Sequence, residues 1–330
     1  MRISVYITSY NQKEYLVEAI ESVLNQTLKP SQIVLVDDCS TDGSREVIAG
    51  YASRYSDLIN PIYHTENQGV ARSRIDGVEA ATGDCVSHVD GDDRFLPTKL
   101  QKEAALLRQN RDVQIVFSDY YYVTAEGTRT GSWADSQKPP VGDVFGRTFC
   151  RDFPKRGLFR NELTDRRAWK RIGYYDPSLS LYEDYEMLIR LTKHLRVAYH
   201  DEPLSEYRIH EAGLSRARAV DHLAALTYIH EKNKPLLDDL SPDSKAEVER
   251  KLGEWMARIA DRAVDETIED AQQRRGRAHA LRQYLHLART QPNYSVHLRP
   301  VLRILLPDVA YESLRVVSRK ARLYTRSGRR

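Results

Sequence analysis

The chain has 330 residues, of which 41% are hydrophobic and 29% charged, which excludes a disordered chain, a collagen-like repeat and a mucin-like stalk. The net charge of +3, from 50 basic and 47 acidic residues, gives no sign of a nucleic-acid-binding body. No stretch approaches the roughly 18 uninterrupted apolar residues of a spanning helix, and the N-terminus lacks the apolar run of a signal peptide.

We therefore expect a cytosolic protein, or one that reaches a membrane only from the cytosolic side. The cysteine content agrees with this expectation. Cys39, Cys85 and Cys150 are isolated, odd in number and without CxxC spacing, so they predict reduced thiols and no zinc knuckle.

Apolar, β-branched segments alternate with amphipathic helical patterns over the first 120 residues. Strands are predicted at 3–8, 33–36, 61–64, 85–89 and 113–119, and helices at 11–26, after 43, at 69–81 and at 97–109. Asn11 and Glu14, three residues apart, resemble a capping box at the start of the first helix. The alternation predicts an α/β fold with a Rossmann-like, mostly parallel sheet and helices on both faces.

The periodicity lapses between 124 and 160, where Gly and Pro mark turns. Helices are predicted at 164–171 and 183–194, and strands at 196–200 and 204–209. Beyond about residue 215 the pattern is helical, and Ser241-Pro242 is typical of a helix start. An α-helical C-terminal region therefore follows the α/β part.

Polar clusters follow three of the predicted strands. Thr8-Ser9-Tyr10-Asn11 follows the first strand, Asp37-Asp38 the second and Asp90-Gly91-Asp92-Asp93 the fourth. Ligands of open α/β sheets bind outside the carboxyl ends of the strands, so we expect these clusters to meet in one cleft. The closely spaced carboxylates of the third cluster suit Mg²⁺ or Mn²⁺, which bridge to substrate phosphates.

The first two clusters predict contacts with a nucleotide base. A carboxylate accepts the N3–H donor of a pyrimidine, and either Asp38 or Asp37 could do so. Tyr10 could stack on the base and Thr8 could fix it. No GxGxxG follows the first strand and no Walker A sequence is present, which argues against a dinucleotide-binding fold.

Five motifs, the first made of three separate segments, occur in an order that resembles the family-2 glycosyltransferases. They are the opening strands and turns at 4–11, 19–27 and 33–43, the NxGxxxAR-type segment at 67–74, the DxD-type segment at 89–93, the ED segment at 182–191 and the YRIH segment at 207–210. The resemblance implies a GT-A fold, a nucleotide-diphosphate-sugar donor (UDP-linked, given the pyrimidine prediction), a divalent metal, Mn²⁺ or Mg²⁺, and inversion at the anomeric carbon. It covers about residues 1–215 as the catalytic domain, with a donor half to about 120, and leaves 216–330 as a helical region.

The resemblance also assigns roles to particular residues. Asp184 matches the catalytic base, with Glu183 as the second candidate, and a carboxylate beside an acidic neighbour in a cleft suits base chemistry near neutral pH. Asp92, Asp93 and His210 are the candidate metal ligands. The candidate donor-binding residues are Thr8, Ser9, Tyr10, Asp37, Asp38, Asn67, Arg72, Arg74, Asp90, Gly91 and Asp92. Trp133, Trp169 and Tyr182 are candidate surfaces for stacking on a sugar ring, although packing in the core is favoured for Trp169.

The basic residues concentrate at the C-terminal end. Residues 296–330 carry +7, whereas residues 1–295 carry −4. Ala310, Leu314, Val317, Ala321 and Tyr324 repeat at helical spacing beside an arginine stripe, and basic amphipathic helices bind anionic bilayers. We expect this segment to contact an anionic membrane surface, which fits a glycan or lipid-linked acceptor in cell-surface polysaccharide synthesis.

Two other functional classes are alternatives for a protein with these residues. A non-catalytic sugar-nucleotide-binding scaffold would have a missing base or a broken acidic cluster, and both are intact here. A metal-dependent nucleotidyltransferase would have a Gly-rich pyrophosphate loop, which the N-terminus lacks. The sequence predicts no nucleic-acid partner and leaves a homo-oligomer open.

Overall fold

Four parallel strands form the first half of a nine-stranded sheet. They are β1 (Ile3–Ser9), β2 (Gln32–Asp37), β3 (Ile59–Tyr63) and β4 (Cys85–Asp90), in the order β3-β2-β1-β4. Helices α1 (Lys13–Leu24), α2 (Ser44–Arg54) and α3 (Val70–Ala80) connect them. Parallel neighbours require such crossovers, so the predicted alternation and the mostly parallel α/β sheet are confirmed.

The structure is a computed structural model, and it describes residues 1–210, 217–275 and 281–282. The chain divides into two compact units, Met1–Arg216 with Tyr228–Leu252, and Ala217–Thr227 with Gly253–Arg330. Within the described ranges, no helix is long and apolar enough to cross a bilayer. The predicted basic helix near 310–324 lies outside the described residues.

The second half of the sheet is mixed. It comprises β5 (Arg94–Phe95), β6 (Ile115–Val123), β7 (Arg129–Ser132), β8 (Leu163–Asp165) and β9 (Val197–Arg208). The sheet continues from β4 through antiparallel β8 to β6, which pairs in parallel with β9, and β5 and β7 are antiparallel edges. The two strands predicted at 196–200 and 204–209 are one strand, because β9 keeps its pairing with β6 across two irregularities.

The remaining helices lie mostly in the C-terminal half. They are α4 (Lys99–Gln109), α5 (Phe145–Phe149), α6 (Arg166–Ile172), α7 (Glu183–His194), α8 (Ala219–Asn233) and α9 (Pro242–Arg275), with 3-10 turns at Pro154–Arg156 and Lys234–Asp239. The helix predicted at 164–171 begins later, because Thr164 pairs with Val86 and Ile115 in the sheet. The start of α9 at Pro242 is as predicted.

The capping box predicted at Asn11 is wrong. Asn11 has a φ of 52°, and α1 begins after Gln12 with no side-chain cap. The Asn11 side chain instead accepts a hydrogen bond from the backbone N–H of Thr41, at 2.8 Å. A tertiary contact between the turns after β1 and β2 therefore replaces the local cap.

Each unit has its own apolar core. In the first, side chains of β1, β2 and β4 meet the buried face of α1, and Val5, Leu16, Ile20 and Ile33 are fully buried. In the second, Ala219 and Leu223 of α8 lie against Ala260 and Ala263 of α9. The rigid core under β1, β2 and β4 fixes the strand ends on which the polar clusters stand.

Candidate active site

The carboxyl ends of β1, β2 and β4 meet at one edge of the sheet, as predicted. Thr8 is in register with both Val36 and Asp90, and Ser9 is in register with Asp37. The Thr8 hydroxyl donates to Asp90 Oδ1 at 3.3 Å. The three polar clusters are therefore neighbours in space, because strand pairing brings the ends of all three strands together.

The acidic turn, residues 90–93, folds directly against the end of β1. Gly91 donates its backbone N–H to Thr8 O at 2.9 Å, and Asp93 N–H donates to Asp90 O at 3.0 Å. A Cβ at position 91 would stand 2.6 Å from Gln12 Oε1 and 3.0 Å from Thr8 O. Glycine is favoured at this position because a larger residue would displace the Gln12 side chain and press on the backbone of β1.

Asp92 and His210 form one side of the acidic turn. Asp92 Oδ2 lies 2.9 Å from His210 Nε2, and this hydrogen bond raises the pKa of the imidazole. Arg208, buried at the end of β9, donates from Nε to Asp92 O at 2.9 Å. A carboxylate oxygen and an imidazole nitrogen from two distant segments thus face each other.

The Asp93 carboxylate is not available as a ligand beside Asp92 and His210. It is 1% exposed, and Oδ1 accepts the backbone N–H of Arg208 at 2.8 Å. Burial, with Asp92 nearby, raises the pKa of the Asp93 carboxyl well above its usual range. Across the described part of the chain, no three His, Cys, Asp or Glu side chains come together as a metal site. The predicted three-ligand set is therefore not assembled.

The remaining pair still fits a divalent cation. Mg²⁺ and Mn²⁺ commonly take one or two protein ligands and complete their shell with water and substrate phosphates. Asp92 and His210 are the residues that would hold such an ion. Asp93 instead holds the turn against β9.

Asp38, the first candidate for reading a pyrimidine, is used within the protein. Oδ1 lies 2.7 Å from His64 Nδ1 and accepts the Gln68 N–H at 2.7 Å, and Oδ2 accepts the Gly69 N–H at 2.8 Å. Its buried carboxylate thus anchors the segment that carries Asn67, which is exposed. Two backbone N–H groups and the His64 ring thus contact a carboxylate that has about four acceptor positions in all, and the N3–H contact with a base stays a prediction.

Asp37, the second candidate, is fully buried. Oδ2 accepts the Ser40 N–H at 3.1 Å and lies 3.4 Å from Arg45 Nε. Oδ1 is buried with no hydrogen-bond partner in the described chain. Tyr10, by contrast, is 48% exposed and free to stack on a base.

The two arginines of α3 have different surroundings. Arg72 forms an ion pair with Asp76 one turn along the helix and is partly exposed. Arg74 is 3% exposed, donates from Nη2 to Asp90 and has Nε 3.2 Å from Glu183 Oε1. The guanidinium of Arg74, a predicted donor-binding residue, is buried between two carboxylates, which the sequence did not indicate.

Helix α7 presents the two candidate bases. Tyr182, before the helix, has a left-handed φ of 63°, which turns the chain so that Glu183 and Asp184 open the first turn. Glu183 is buried, and burial, opposed by Arg74 and reinforced by Asp184, raises its pKa to about 7. Asp184 is half-buried and lines a small cavity.

The cavity beside Asp184 includes residues that the sequence did not indicate. Its walls are His88, Phe159, Arg160, Glu162, Tyr175, Asp184, Met187 and Leu188. The Tyr175 hydroxyl is fixed by the Tyr6 hydroxyl at 2.8 Å. The segment 159–162 has no periodic pattern and no motif, so no sequence signal pointed to it. Trp133 is buried in the core, so the prediction that it stacks on a sugar ring is wrong. Trp169 is buried as well, in agreement with the core position favoured for it.

Comparisons with known proteins agree on one family. The family model described as glycosyl transferase family 2 matches residues 4–178. Among curated relatives, the putative glycosyltransferase EpsE of Bacillus subtilis is 35% identical over 149 residues, which cover 45% of this chain and 54% of EpsE. The putative teichuronic acid biosynthesis glycosyltransferase TuaG of the same organism is 33% identical over 126 residues, 38% of this chain and 49% of TuaG. The match spans about half the length of these relatives.

Solved structures share the fold over a larger part of the chain. S. aureus TarS 1–349 in complex with UDP-GlcNAc has a TM-score of 0.63 at 20% identity and covers 88% of both chains. The mannosyltransferase PcManGT from Pyrobaculum calidifontis, in complex with GDP-Man and Mn²⁺, has a TM-score of 0.56 at 18% identity, over 88% of this chain and 81% of that chain. These likenesses confirm the predicted fold class.

Proposed function

The chain belongs to glycosyl transferase family 2, and on that premise we propose that it transfers a sugar from a UDP-linked donor to a hydroxyl of a glycan or lipid-linked acceptor. The observation that carries the proposal is the joining of the acidic turn to α7 through Arg74. A donor held at the acidic turn would then lie close to Asp184. We further propose that residues 1–215 are the catalytic domain and that the helical remainder is accessory to it.

Asp184 is proposed as the general base. Its carboxylate takes the proton of the acceptor hydroxyl, whose oxygen forms a bond to the anomeric carbon from the face opposite the leaving group. The bond between that carbon and the diphosphate oxygen breaks, and its electron pair stays on the released UDP. Attack from the opposite face inverts the anomeric centre.

Asp184 is favoured over Glu183 because of their surroundings. Asp184 lines the cavity, whereas Glu183 is 5% exposed and faces Arg74. A base must reach the proton that it removes, so geometry takes priority over pKa in this choice. Glu183 is then a positioning residue, which holds the first turn of α7 to Arg74.

Donor binding is proposed at the carboxyl ends of β1, β2 and β4. Thr8, Ser9, Tyr10 and Asn67 surround the base and ribose, and Asp90, Gly91 and Asp92 approach the diphosphate. When bound at Asp92 and His210, Mn²⁺ or Mg²⁺ supplies positive charge that stabilises the leaving diphosphate. Asp38 shapes this site through the backbone of 68–69 rather than through direct contact.

Observations other than the two buried aspartates support UDP as the nucleotide of the donor. The exposed ring of Tyr10 offers a stacking surface, and TarS, which shares the fold, was solved with UDP-GlcNAc. PcManGT shares the fold with GDP-Man, so a guanine donor is the alternative to be excluded by experiment. The similarity to TuaG, a putative teichuronic acid biosynthesis glycosyltransferase, supports an acceptor in cell-surface polysaccharide synthesis.

Saturation-transfer NMR against UDP-glucose, UDP-galactose, UDP-GlcNAc and GDP-mannose tests the donor class. We expect signals from the uracil and ribose protons of at least one UDP-sugar, and competition by UDP that is at least tenfold stronger than by GDP. UDP release from the bound donor then tests catalysis. Equal competition by GDP would contradict the pyrimidine proposal, and binding without UDP release would favour a non-catalytic scaffold.

A further inference from the structure

Glu162 is a buried carboxyl that the mechanism above does not use. It stands immediately before β8, is 5% exposed and lines the same cavity as Asp184. No side chain in the described ranges donates a hydrogen bond to its carboxyl group. A buried carboxyl with no side-chain donor, and only its own backbone N–H as a partner, is costly, so its retention at a cavity wall calls for a physical reason.

Other buried glutamates in the same unit have partners. Glu103 pairs with Lys99 and accepts a hydrogen bond from the Ser118 hydroxyl at 2.9 Å. Glu186 accepts from Arg190 Nη2 at 2.8 Å and lies 2.9 Å from Lys232 Nζ. These two carboxylates hold helices and strands together, whereas Glu162 has no equivalent structural contact.

The backbone holds Glu162 in a fixed direction. Asn161, its neighbour, is 1% exposed and has a left-handed φ of 56°. The Asn161 carbonyl accepts hydrogen bonds from the Ser87 hydroxyl, at 3.1 Å, and from Lys99 Nζ. Strained backbone that is secured by several buried donors is typical of functional positions.

The charges around Glu162 leave it able both to donate and to accept hydrogen bonds near neutral pH. Burial raises its pKa to about 7, its own backbone N–H together with Arg74 and Lys99 opposes the rise, and Asp184 adds to it. His88 and Arg160 line the same cavity, and burial lowers the pKa of His88, so its ring is uncharged. Tyr6 and Tyr175 also face Glu162, and burial raises the pKa of both, so they stay neutral. The Glu162 carboxyl can therefore donate a hydrogen bond to a sugar hydroxyl or accept one from it.

We propose that Glu162 is an acceptor-binding residue, whose carboxyl group hydrogen-bonds a hydroxyl next to the one that Asp184 deprotonates. This inference rests on the proposed function and names a substrate class for it. The carboxyl groups of Glu162 and Asp184 both face the cavity. Within the described chain, the one cationic side chain in the cavity wall is Arg160, and its guanidinium carbon lies 3.8 Å from the centre of the Tyr207 ring. The acceptor is accordingly a sugar with neighbouring hydroxyls and no anionic group at the accepting end.

The test measures binding rather than turnover. Saturation-transfer NMR, in the presence of UDP and Mn²⁺, compares methyl β-D-glucoside, methyl β-D-galactoside and methyl β-D-glucuronide as probes. We expect at least one neutral glycoside to bind the wild-type protein and the glucuronide to bind at least tenfold more weakly. Glu162→Ala should weaken the affinity for the neutral glycoside at least tenfold. Glu162→Gln keeps a hydrogen-bond donor and an acceptor, so it should recover part of the lost affinity.

The controls separate this inference from the proposed function. Affinity for UDP should stay within twofold in both variants, and the matched surface variant Glu79→Ala should equal the wild type in UDP affinity, UDP release and glycoside binding. Absence of glycoside binding to the wild type, equal binding to Glu162→Ala, or equal binding of the glucuronide would each overturn the inference. Failure of UDP binding to the wild type would instead contradict the proposed function.

Discussion

The guanidinium of Arg74 donates from Nη2 to both carboxylate oxygens of Asp90, at 2.8 and 3.0 Å. Its Nε lies 3.2 Å from Glu183, so one buried cation joins the acidic turn after β4 to the first turn of α7. The charge of each carboxylate favours the protonated guanidinium and raises the pKa of Arg74. The spacing between the donor end of the site and the candidate base therefore depends on a residue that contacts neither substrate in our proposal.

Arg74→Met should destabilise the protein strongly. Removing one partner of a buried ion pair leaves uncompensated charge and costs about 3–5 kcal/mol. Urea unfolding measures the loss, and Arg72→Met on the same helix is the matched control. Because the Arg72 side chain is 40% exposed, we expect its loss to cost about 1 kcal/mol or less. Equal losses from the two variants would contradict a structural role for Arg74.

Asp184→Asn should abolish transfer while donor binding persists. Loss of a general base typically lowers the rate by about 10²–10⁴, whereas the nucleotide is held by other residues. UDP-release kinetics and UDP calorimetry provide the two measurements, and Asp112→Asn on the surface is the matched control. A variant that keeps its full kcat would place the base elsewhere, and Glu183→Gln would be tested next.

UDP binding should depend on Mn²⁺ or Mg²⁺. We expect calorimetry in EDTA to give an affinity at least tenfold weaker than in Mn²⁺, because the metal would neutralise charge between Asp92 and the diphosphate. His210→Ala should reduce the gain that Mn²⁺ provides, with little effect on binding in EDTA. Equal affinity with and without the metal would show that Asp92 and His210 hold no cation.

Glu162→Gln should change how stability depends on pH. The folded protein binds the Glu162 proton more tightly than the unfolded chain does, since the pKa is about 7 instead of the usual 4.5. The wild type therefore loses stability through this group as pH rises between those values, by about 3 kcal/mol in total. Glutamine cannot ionise, so the free energy of unfolding of the variant should increase relative to that of the wild type from pH 4.5 to pH 8.

Urea unfolding at pH 5 and pH 8 measures this change, and other groups cancel in the difference between the two proteins. Glu79→Gln, at an exposed position, should track the wild type at both pH values. If the difference between Glu162→Gln and the wild type is the same at both pH values, the Glu162 carboxyl is ionised throughout and its raised pKa is wrong.

The C-terminal segment is proposed to bind anionic membrane. The whole chain should sediment with anionic vesicles at low salt and release at high salt, because surface attraction falls off over a Debye length of about 8 Å at physiological salt. Replacing Arg315, Arg319, Arg322 and Arg326 by Gln should abolish sedimentation and leave UDP binding intact. Equal sedimentation of both proteins would assign the basic stripe to another role.

The sequence by itself determined the order of elements and the places where polar clusters leave the sheet. Hydrophobic periodicity is local, so β1, β2, β4 and α7 were found within a few residues of their bounds. Because parallel strands share one edge, the convergence of Thr8, Asp37 and Asp90 followed from the same pattern. The motif order then sufficed for the family.

The tertiary structure decided which of these side chains are free. Arg74, Asp38 and Asp93 each resemble substrate-binding residues in the sequence, but each is buried against partners far along the chain, such as Glu183, His64 and Arg208. Glu162 became a candidate only because folding places it in the wall beside Asp184 without a side-chain donor. Motifs record residue types and spacing, whereas the availability of a charged group depends on burial and on long-range pairing, which only the folded chain defines.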